Sequence, residues 1–513
     1  MRRPGPLLAA VAGVLAVAAA ACGSGASHTS ATGRTRSTGT TGALIAPGSQ
    51  GGPSSTATTG APLGGGSSVT VASGGTPLSG RTGPAATSST ATTAAPGAPS
   101  GGSWLTYHGD QARSGVDASG AVLQPTRAKW TSPTLDGKVY AEPLVWGSLV
   151  VAATENDTIY GLDAASGAVR WSAHVGSPVP QSSLPCGDID PLGITGTPAI
   201  DPSTGTIYAV AETVSGGSVS HRLVAVAANG KLAWSESADP SGMTPTTQQQ
   251  RGGLTLANGR VYITYGGLYG DCGHYHGWVV SAPASGPGRL RAYQVPSGNE
   301  AGIWAPPGPS VDSAGNLYVA TGNSSSQKGY DEGNSVLELS PGLSLLSSFA
   351  PSNWANLNAN DSDLGSTSPQ LLAGGLVFQA GKNQQGFLLR AGNLGGIGHP
   401  LFQASMCFTI GGEAYRAPDL YVACRSGIED VRVTVSPPSF KVAWTGPGNA
   451  TGPPVVAGGL VWSVGSGTLY GLNPSTGATV VQESLGSPAP YSTPGVGDGE
   501  LVVGAGQVVK AFS

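Results

Sequence analysis

Six side chains in this sequence are candidates for binding a ligand or taking part in catalysis. They are Glu142, Asp190, Arg251, Trp304, Asp361 and Lys382. Carboxylates can accept a proton or supply oxygen ligands to Ca2+, cations can hold a negatively charged group, and an indole ring offers a flat surface to a ligand. Polar residues in loops also satisfy turns through local hydrogen bonds, so residue type alone does not define a site. What these side chains can do depends on the elements that position them.

Short apolar strands separated by Gly, Asn and Asp turns recur from residue 127 to the end of the chain. The clearest copies are AEPLVWGSLVVAATENDTIYGLDAASGAVRW (141–171) and PPVVAGGLVWSVGSGTLYGLNPSTGATVV (453–481). Each contains four strands with turn residues at regular spacing, which is typical of a propeller blade. Further copies begin near Gly193, Gly253, Pro309, Pro369 and Gly411.

The last copy, which starts at Ser492, holds only three strands before the chain ends. The missing strand is predicted at 127–135 (RAKWTSPTL), where Trp130 takes the place that Trp171, Trp234 and Trp444 have in complete copies. The sequence therefore predicts an all-β, eight-bladed propeller closed by pairing of its N- and C-terminal strands. Such closure removes exposed sheet edges.

The segment TIYGLDAASGAVRW (158–171) resembles the repeat of pyrroloquinoline-quinone (PQQ) propellers. That superfamily contains quinoprotein alcohol dehydrogenases and the outer-membrane assembly scaffold lipoprotein. Stretches similar to exported PQQ-repeat proteins lie at 104–115, 186–201, 269–278, 302–323 and 360–366. The resemblance extends over about 103–513 and implies the fold. It leaves the function open, because the superfamily includes both enzymes and inert scaffolds.

A PQQ enzyme would need a carboxylate base, oxygen ligands for Ca2+, a cation near the quinone oxygens and an aromatic floor. The resemblance offers for these roles Glu142, Asp361 or Asp363, Arg251 or Lys382, and Trp304. With Asp190, most of these residues fall near loops that enter innermost strands and converge on the axis, where a ligand is expected. Two departures oppose the enzyme: the sequence has no adjacent cysteine pair and no Cys-x-x-Cys-His haem motif.

Four of the five cysteines lie in the repeat region, an even number that suits an exported protein with disulfides. Cys186 precedes the innermost strand of the second blade, and Cys272 lies between the second and third strands of the third blade. Both loops should lie on one face. Cys407 precedes the innermost strand of the sixth blade and Cys424 ends its second strand. We predict the pairs Cys186–Cys272 and Cys407–Cys424. No metal is expected, since no Cys-x-x-Cys spacing occurs.

The N-terminus has the pattern of an export signal. Residues 1–21 combine two arginines, a short apolar run and small residues, and Cys22 follows as in the lipobox of bacterial lipoproteins. Residues 22–102 are rich in Gly, Ser, Thr, Ala and Pro and predict a disordered tether, because they cannot bury enough apolar surface to offset the entropy of ordering. The propeller is assigned to 103–513. We expect lipid anchoring at Cys22 on the outer face of a bacterial cytoplasmic membrane, or secretion.

Charge excludes one class of partner. Only 10 % of the residues are charged, the net charge is −4 and no basic cluster occurs, so nucleic acid is not expected to bind. A closed ring of blades also needs no partner to cover strand edges, so a monomer is expected.

Three functions fit these observations. The one with the fewest requirements is a non-catalytic envelope protein that binds a protein, glycan or small molecule and needs no cofactor. The alternative is a PQQ- and Ca2+-dependent dehydrogenase of alcohols or polyols. The third is a propeller hydrolase or lyase, for which the sequence offers no motif.

Overall fold

The computed structural model describes residues 102–121, 123, 127–497 and 499–513. The predicted signal peptide, Cys22 and the tether, apart from Gly102, lie outside this part of the chain. No helix among the described residues has the length and apolar character required to cross a bilayer.

Eight sheets, each with at least four strands, follow one another along the chain as blades 1 to 8. Blade 1 contains Leu144–Trp146, Leu149–Thr154, Thr158–Asp163 and Val169–His174, and blade 2 contains Ala199–Ile200, Ile207–Ser215, Ser218–Val226 and Leu232–Ser237. Blade 3 contains Gln248–Gln249, Thr255–Ala257, Arg260–Gly267, Trp278–Pro283 and Arg291–Gln294. Blade 4 contains Ser310–Val311, Leu317–Ala320, Val336–Leu339, Leu345–Ala350 and Gly396–Ile397. The last of these adds a parallel fifth strand to the outer edge of blade 4.

Blade 5 contains Gln370–Leu372, Leu376–Ala380, Gln385–Arg390 and Phe402–Ser405, and blade 6 contains Thr409–Arg416, Asp419–Cys424, Gly427–Thr434 and Ser439–Thr445. Blade 7 contains Val455–Ala457, Leu460–Gly465, Thr468–Leu472 and Thr479–Ser484. Blade 8 contains Gly495–Gly497, Glu500–Gly504, Val509–Phe512 and Trp130–Thr131. One α-helix, Trp354–Ala359, lies between blades 4 and 5, and short 3-10 helices occur at Gln181–Ser183, Pro245–Thr247, Leu364–Ser366 and Ala373–Gly375.

The ring closes as predicted. Trp130 pairs with Ala511 and Thr131 with Lys510 in antiparallel register, so blade 8 joins the strand nearest the N-terminus to the last three strands of the chain. The eight-bladed all-β fold and its closure are therefore confirmed.

Burial follows the position of each strand within its blade. The second strand of blade 1, Leu149–Thr154, is buried along its whole length because neighbouring blades cover both of its faces. The outermost strand, Val169–His174, is largely exposed. Apolar side chains of blades 8, 1 and 2, such as Val503, Val151 and Ala209, form one continuous core cluster across the seams between blades.

Tryptophan side chains join successive blades. Trp130 donates its Nε1 proton to the carbonyl of Ala164 in blade 1 at 2.8 Å, and Trp444 bonds Pro474 of the next blade in the same way at 2.9 Å. The Trp130 ring lies on Gly167, where a Cβ would stand 2.4 Å from the indole and where φ is +72°. Only glycine meets both demands at this turn.

We expect Trp130→Ala to destabilise the propeller by about 3–5 kcal/mol, because it removes a buried indole at the closing blade and leaves a cavity. Urea unfolding followed by circular dichroism measures the change. The control is Leu346→Ala, a change at a side chain 52 % exposed on the fourth strand of blade 4, which should shift stability far less. Equal effects of the two substitutions would contradict the role given to Trp130 in closure.

Candidate functional site

A segment that precedes the first blade runs inside the ring. We call Trp104–Asp117 the axial segment. Its backbone pairs with Val145 of blade 1 in both directions and accepts hydrogen bonds from Ile200 of blade 2 and Val311 of blade 4. Gln370 of blade 5, Tyr415 of blade 6 and Val456 of blade 7 also donate to its carbonyls, at 2.7–3.0 Å. The axial segment thus satisfies the inner edge of the ring almost blade by blade.

The side chains of the axial segment fill the channel. Tyr107 and His108 stack with ring centroids 4.2 Å apart, and both are almost completely buried. A Cβ on Gly253 of blade 3 would stand 2.9 Å from Tyr107 Cβ, and one on Gly412 of blade 6 would stand 3.0 Å from its hydroxyl oxygen. Tyr107 therefore spans the axis between two blades that lie far apart around the ring.

Buried polar groups hold the axial segment in place. Arg113 donates to the carbonyls of Tyr107 and Leu254, both at 3.1 Å, and burial lowers the pKa of its guanidinium to about 10. Burial also lowers the pKa of His108 to about 3, so the ring is neutral and its Nδ1 proton is donated to the Glu413 carbonyl at 2.9 Å.

Glu142, a predicted ligand-face residue, belongs to this buried network. Its carboxylate accepts hydrogen bonds from the Trp104 indole and, at 3.1 Å, from the His108 backbone N–H. Burial raises the pKa of Glu142 well above its usual value. Because Glu142 is only 2 % exposed, it lies beneath the surface and is engaged by the axial segment.

The loops that enter innermost strands and the loops between second and third strands share one face of the propeller, which we call the top face. The disulfide Cys186–Cys272 joins one loop of each kind from blades 2 and 3, with Cα atoms 6.1 Å apart. Cys407 and Cys424 form the second bond, within blade 6, with Cα atoms 5.6 Å apart. These are the two pairings predicted from the sequence.

Three predicted residues meet on the top face. Lys382 Nζ lies 2.7 Å from Asp363 Oδ2 and 3.0 Å from Asp361 Oδ1, and it stands over the Trp304 ring at 5.5 Å from the centroid. Burial alone would lower the pKa of Lys382, but the two aspartates outweigh it and raise that pKa. Asp363 also accepts the Asn323 backbone N–H at 2.7 Å. The charges in this cluster satisfy one another.

The other two predicted residues lie elsewhere on the top face. Arg251, between the two short inner strands Gln248–Gln249 and Thr255–Ala257 of blade 3, reaches across the axis to the Pro490 carbonyl before blade 8, at 3.4 Å. Asp190 is exposed and accepts the backbone N–H of Gln181 at 3.1 Å, so it is bonded within its own loop. The structure therefore groups Trp304, Asp361 and Lys382, and separates them from Glu142 and Asp190.

Two cavities open on the opposite face. One of about 400 Å3 lies between blades 1 and 2 and is lined by Trp146, Arg170 and Trp171, among others. A second, of about 260 Å3, lies beside Asn258 and Asp312.

The described residues include one cluster with metal-ligand atoms close together, formed by Cys407, Cys424 and Glu429. Both of its sulfur atoms are in a disulfide, so they do not offer thiolates to an ion.

These features define an eight-bladed β-propeller, as the repeat predicts. Residues 86–321, just under half of the chain, match the family described as outer membrane protein assembly factor BamB. Comparison with curated proteins finds no significant match.

Solved structures similar to this chain include enzymes and a protein of the BamB type. The quinohemoprotein alcohol dehydrogenase ADHIIG from Pseudomonas putida HK5 is 14 % identical, with 80 % of each chain covered and a TM-score of 0.62. The quinohemoprotein alcohol dehydrogenase from Comamonas testosteroni is 16 % identical, with 80 % of each chain covered and a TM-score of 0.60. BamB from Moraxella catarrhalis is 15 % identical, covering 76 % of this chain and 100 % of that chain, with a TM-score of 0.50. At these identities the likeness establishes the fold alone.

Sequence reasoning missed the role of the axial segment. The stretch WLTYHGDQARSG stood out for its resemblance to exported PQQ-repeat proteins, but its place in the channel was not foreseen. One signal was present: Trp, Tyr, His and Arg are concentrated in a short stretch that has no strand pattern and precedes the first blade.

We expect Glu413→Gln to stabilise the protein more at pH 8 than at pH 5. Glu413 lies on the innermost strand of blade 6, and burial raises the pKa of its carboxyl to about 8. Between about pH 4.5 and pH 8, the folded state therefore holds a proton on Glu413 that the unfolded state has released. The free energy of unfolding of the wild type falls as the pH rises through this interval. The difference between variant and wild type should grow by a few kcal/mol from pH 5 to pH 8.

Chemical denaturation at a series of pH values tests this expectation. Glu483→Gln, on the partly exposed outermost strand of blade 7, serves as the control and should follow the wild-type pH profile. If the Glu413→Gln and wild-type profiles run parallel, Glu413 does not titrate as described.

Proposed function

We propose that this chain is a non-catalytic binding or scaffold protein of the bacterial cell envelope. In this proposal it is exported, attached by a lipid at Cys22 to the outer face of the cytoplasmic membrane, and raised from it by residues 22–102. The top face of a monomeric propeller binds a protein, glycan or small molecule outside the membrane. Neither nucleic acid nor a cofactor takes part.

The observation that carries this proposal is the filled channel. Tyr107 and His108 occupy the axis, and Arg113 and Glu142 are engaged in holding them there. A reaction site at the bottom of an axial pocket would require that space. The predicted side chains left accessible to a ligand lie on the surface of the top face, a location suited to binding.

A PQQ-dependent dehydrogenase of alcohols or polyols is the second candidate, favoured by the meeting of Trp304, Asp361 and Lys382. The residues nevertheless do not fit the cofactor. PQQ carries three carboxylates, whereas Lys382 is already neutralised by Asp361 and Asp363. Its ammonium also covers one side of the Trp304 ring, so a quinone stacked on that side would have to displace it and break both ion pairs.

Titration of the full chain, solubilised in detergent, with PQQ and Ca2+ tests the choice between the two candidates. We expect no stoichiometric quinone absorbance and no reduction of a redox dye with alcohols or polyols, because the cluster around Lys382 satisfies itself. A quinoprotein alcohol dehydrogenase treated identically provides the positive control. Stoichiometric quinone binding with substrate-dependent dye reduction would overturn the non-catalytic proposal.

The lipid anchor makes a separate prediction. We expect Cys22→Ser to move the protein from the membrane fraction to the soluble exported fraction, because the substitution removes the thiol that would carry the lipid. Fractionation with metabolic labelling by a fatty acid measures the change, and Cys407→Ser is the control for loss of a cysteine elsewhere. An unlabelled wild-type protein that is soluble outside the cell would indicate plain secretion.

A further inference from the structure

The two predicted cations of the top face differ in what neutralises them. Lys382 has two aspartate partners, whereas among the described residues no carboxylate lies within ion-pair distance of the Arg251 guanidinium. Its one hydrogen bond to protein, at 3.4 Å to Pro490, is long and uses a single nitrogen. The nearby Glu155 carboxylate accepts the Gly193 backbone N–H and the Thr195 hydroxyl through Oε2 alone, and its charge attracts Arg251 from beyond ion-pair distance. Arg251 therefore keeps most of its donors available on the axis.

Tyrosines surround this arginine. Tyr140 and Tyr491 are among its electrostatic neighbours, and Tyr269 lies in turn near Tyr491. Tyr491 is 39 % exposed, and Tyr269 is 63 % exposed, the largest value among the described large hydrophobic side chains. Tyr491 follows the Pro490 whose carbonyl Arg251 contacts, so one exposed ring adjoins this guanidinium and a second, Tyr269, lies near the first.

We propose that Arg251 and the tyrosines around it form a binding site for a carbohydrate that carries a carboxylate, such as a uronic acid residue of a glycan. This inference rests on the proposed function, since it names the ligand class of the same top face. Arg251 holds the carboxylate with paired N–H donors, a geometry that lysine cannot supply.

The remaining groups suit the rest of a sugar. The C–H faces of a pyranose ring pack on exposed aromatic rings, and Tyr269 and Tyr491 supply such rings with little entropy to lose. Asp188 lies near Tyr491, is exposed and can accept hydrogen bonds from sugar hydroxyls. Asp271, two residues after Tyr269, is also exposed and already accepts the Tyr275 hydroxyl at 2.6 Å.

A peptide that ends in a free carboxylate would satisfy Arg251 as well. A peptide, however, gains affinity from pockets for its side chains or from a strand edge to pair with. The axial segment pairs with the inner strand edges of most blades, and the two cavities described above are on the opposite face. Exposed rings beside a cation favour a flat, hydroxylated ligand.

Calorimetric titration of the full chain in detergent tests the inference. The ligands are oligomers of galacturonate, glucuronate and mannuronate, the methyl esters of the same oligomers, and a short peptide with a free C-terminal carboxylate. We expect at least one acidic oligomer to bind, and Arg251→Gln and methyl esterification each to weaken that binding about 10- to 100-fold, since each removes the charged hydrogen bonds.

Further variants separate charge from geometry. Arg251→Lys should restore only part of the affinity, and Tyr269→Ala should weaken binding up to about tenfold. The matched control is Arg425→Gln, at an exposed arginine of the top face in the second-to-third-strand loop of blade 6, which should bind as the wild type does. Unchanged thermal unfolding of each variant excludes a general loss of structure.

The inference is overturned if no acidic oligomer binds, if esters bind as well as acids, if Arg251→Gln has no effect, or if the peptide binds in preference to every glycan. These failures would leave the non-catalytic proposal standing. Quinone binding with dye reduction would instead remove that proposal, so the two can fail independently.

Discussion

The hydrogen bonds between the axial segment and the innermost strands are the constraint on which the rest of this structure depends. Eight innermost strands arranged in a ring present their unpaired backbone groups to a central channel, and buried groups of this kind are costly unless they are bonded. Residues such as Leu105, Ser114 and Gly115 supply carbonyls to successive blades, so that one extended segment serves nearly the whole ring. The channel is filled as a direct result.

The part of the fold predicted from sequence is the part encoded by local repetition. Strand and turn spacing predicted eight blades, and Trp130 located the closing strand, because each blade is built from residues close together in the chain. The disulfide pairing of Cys186 with Cys272 followed from knowing which loops share a face. The axial segment could not be predicted in this way. Its contacts are long-range, as between His108 and Thr493, which are 385 residues apart. No periodic pattern in the sequence predicts such contacts.

The candidate site also has a part that could be predicted from the sequence and a part that depends on long-range contacts. The sequence identified residues of the right type, but the pairing of each one depends on contacts between distant loops. Glu142 was expected to face a ligand, yet Trp104 and His108 of the axial segment bind its carboxylate. Lys382 was expected to meet an anionic ligand, and Asp361 and Asp363 from the loop before blade 5 neutralise it instead. Charge type is visible in a sequence, whereas the satisfaction of a charge is a property of tertiary structure.

The two predicted cations of the top face differ in whether the protein already satisfies their charge. A lysine held by two aspartates has little to gain from a further anion, because binding would require breaking ion pairs already formed. An arginine with one long hydrogen bond has unused N–H donors, and binding an anion would break few existing interactions. The ligand chemistry of this propeller is therefore better argued from Arg251, which has one long hydrogen bond and no carboxylate partner among the described residues, than from the cluster of Trp304, Asp361 and Lys382.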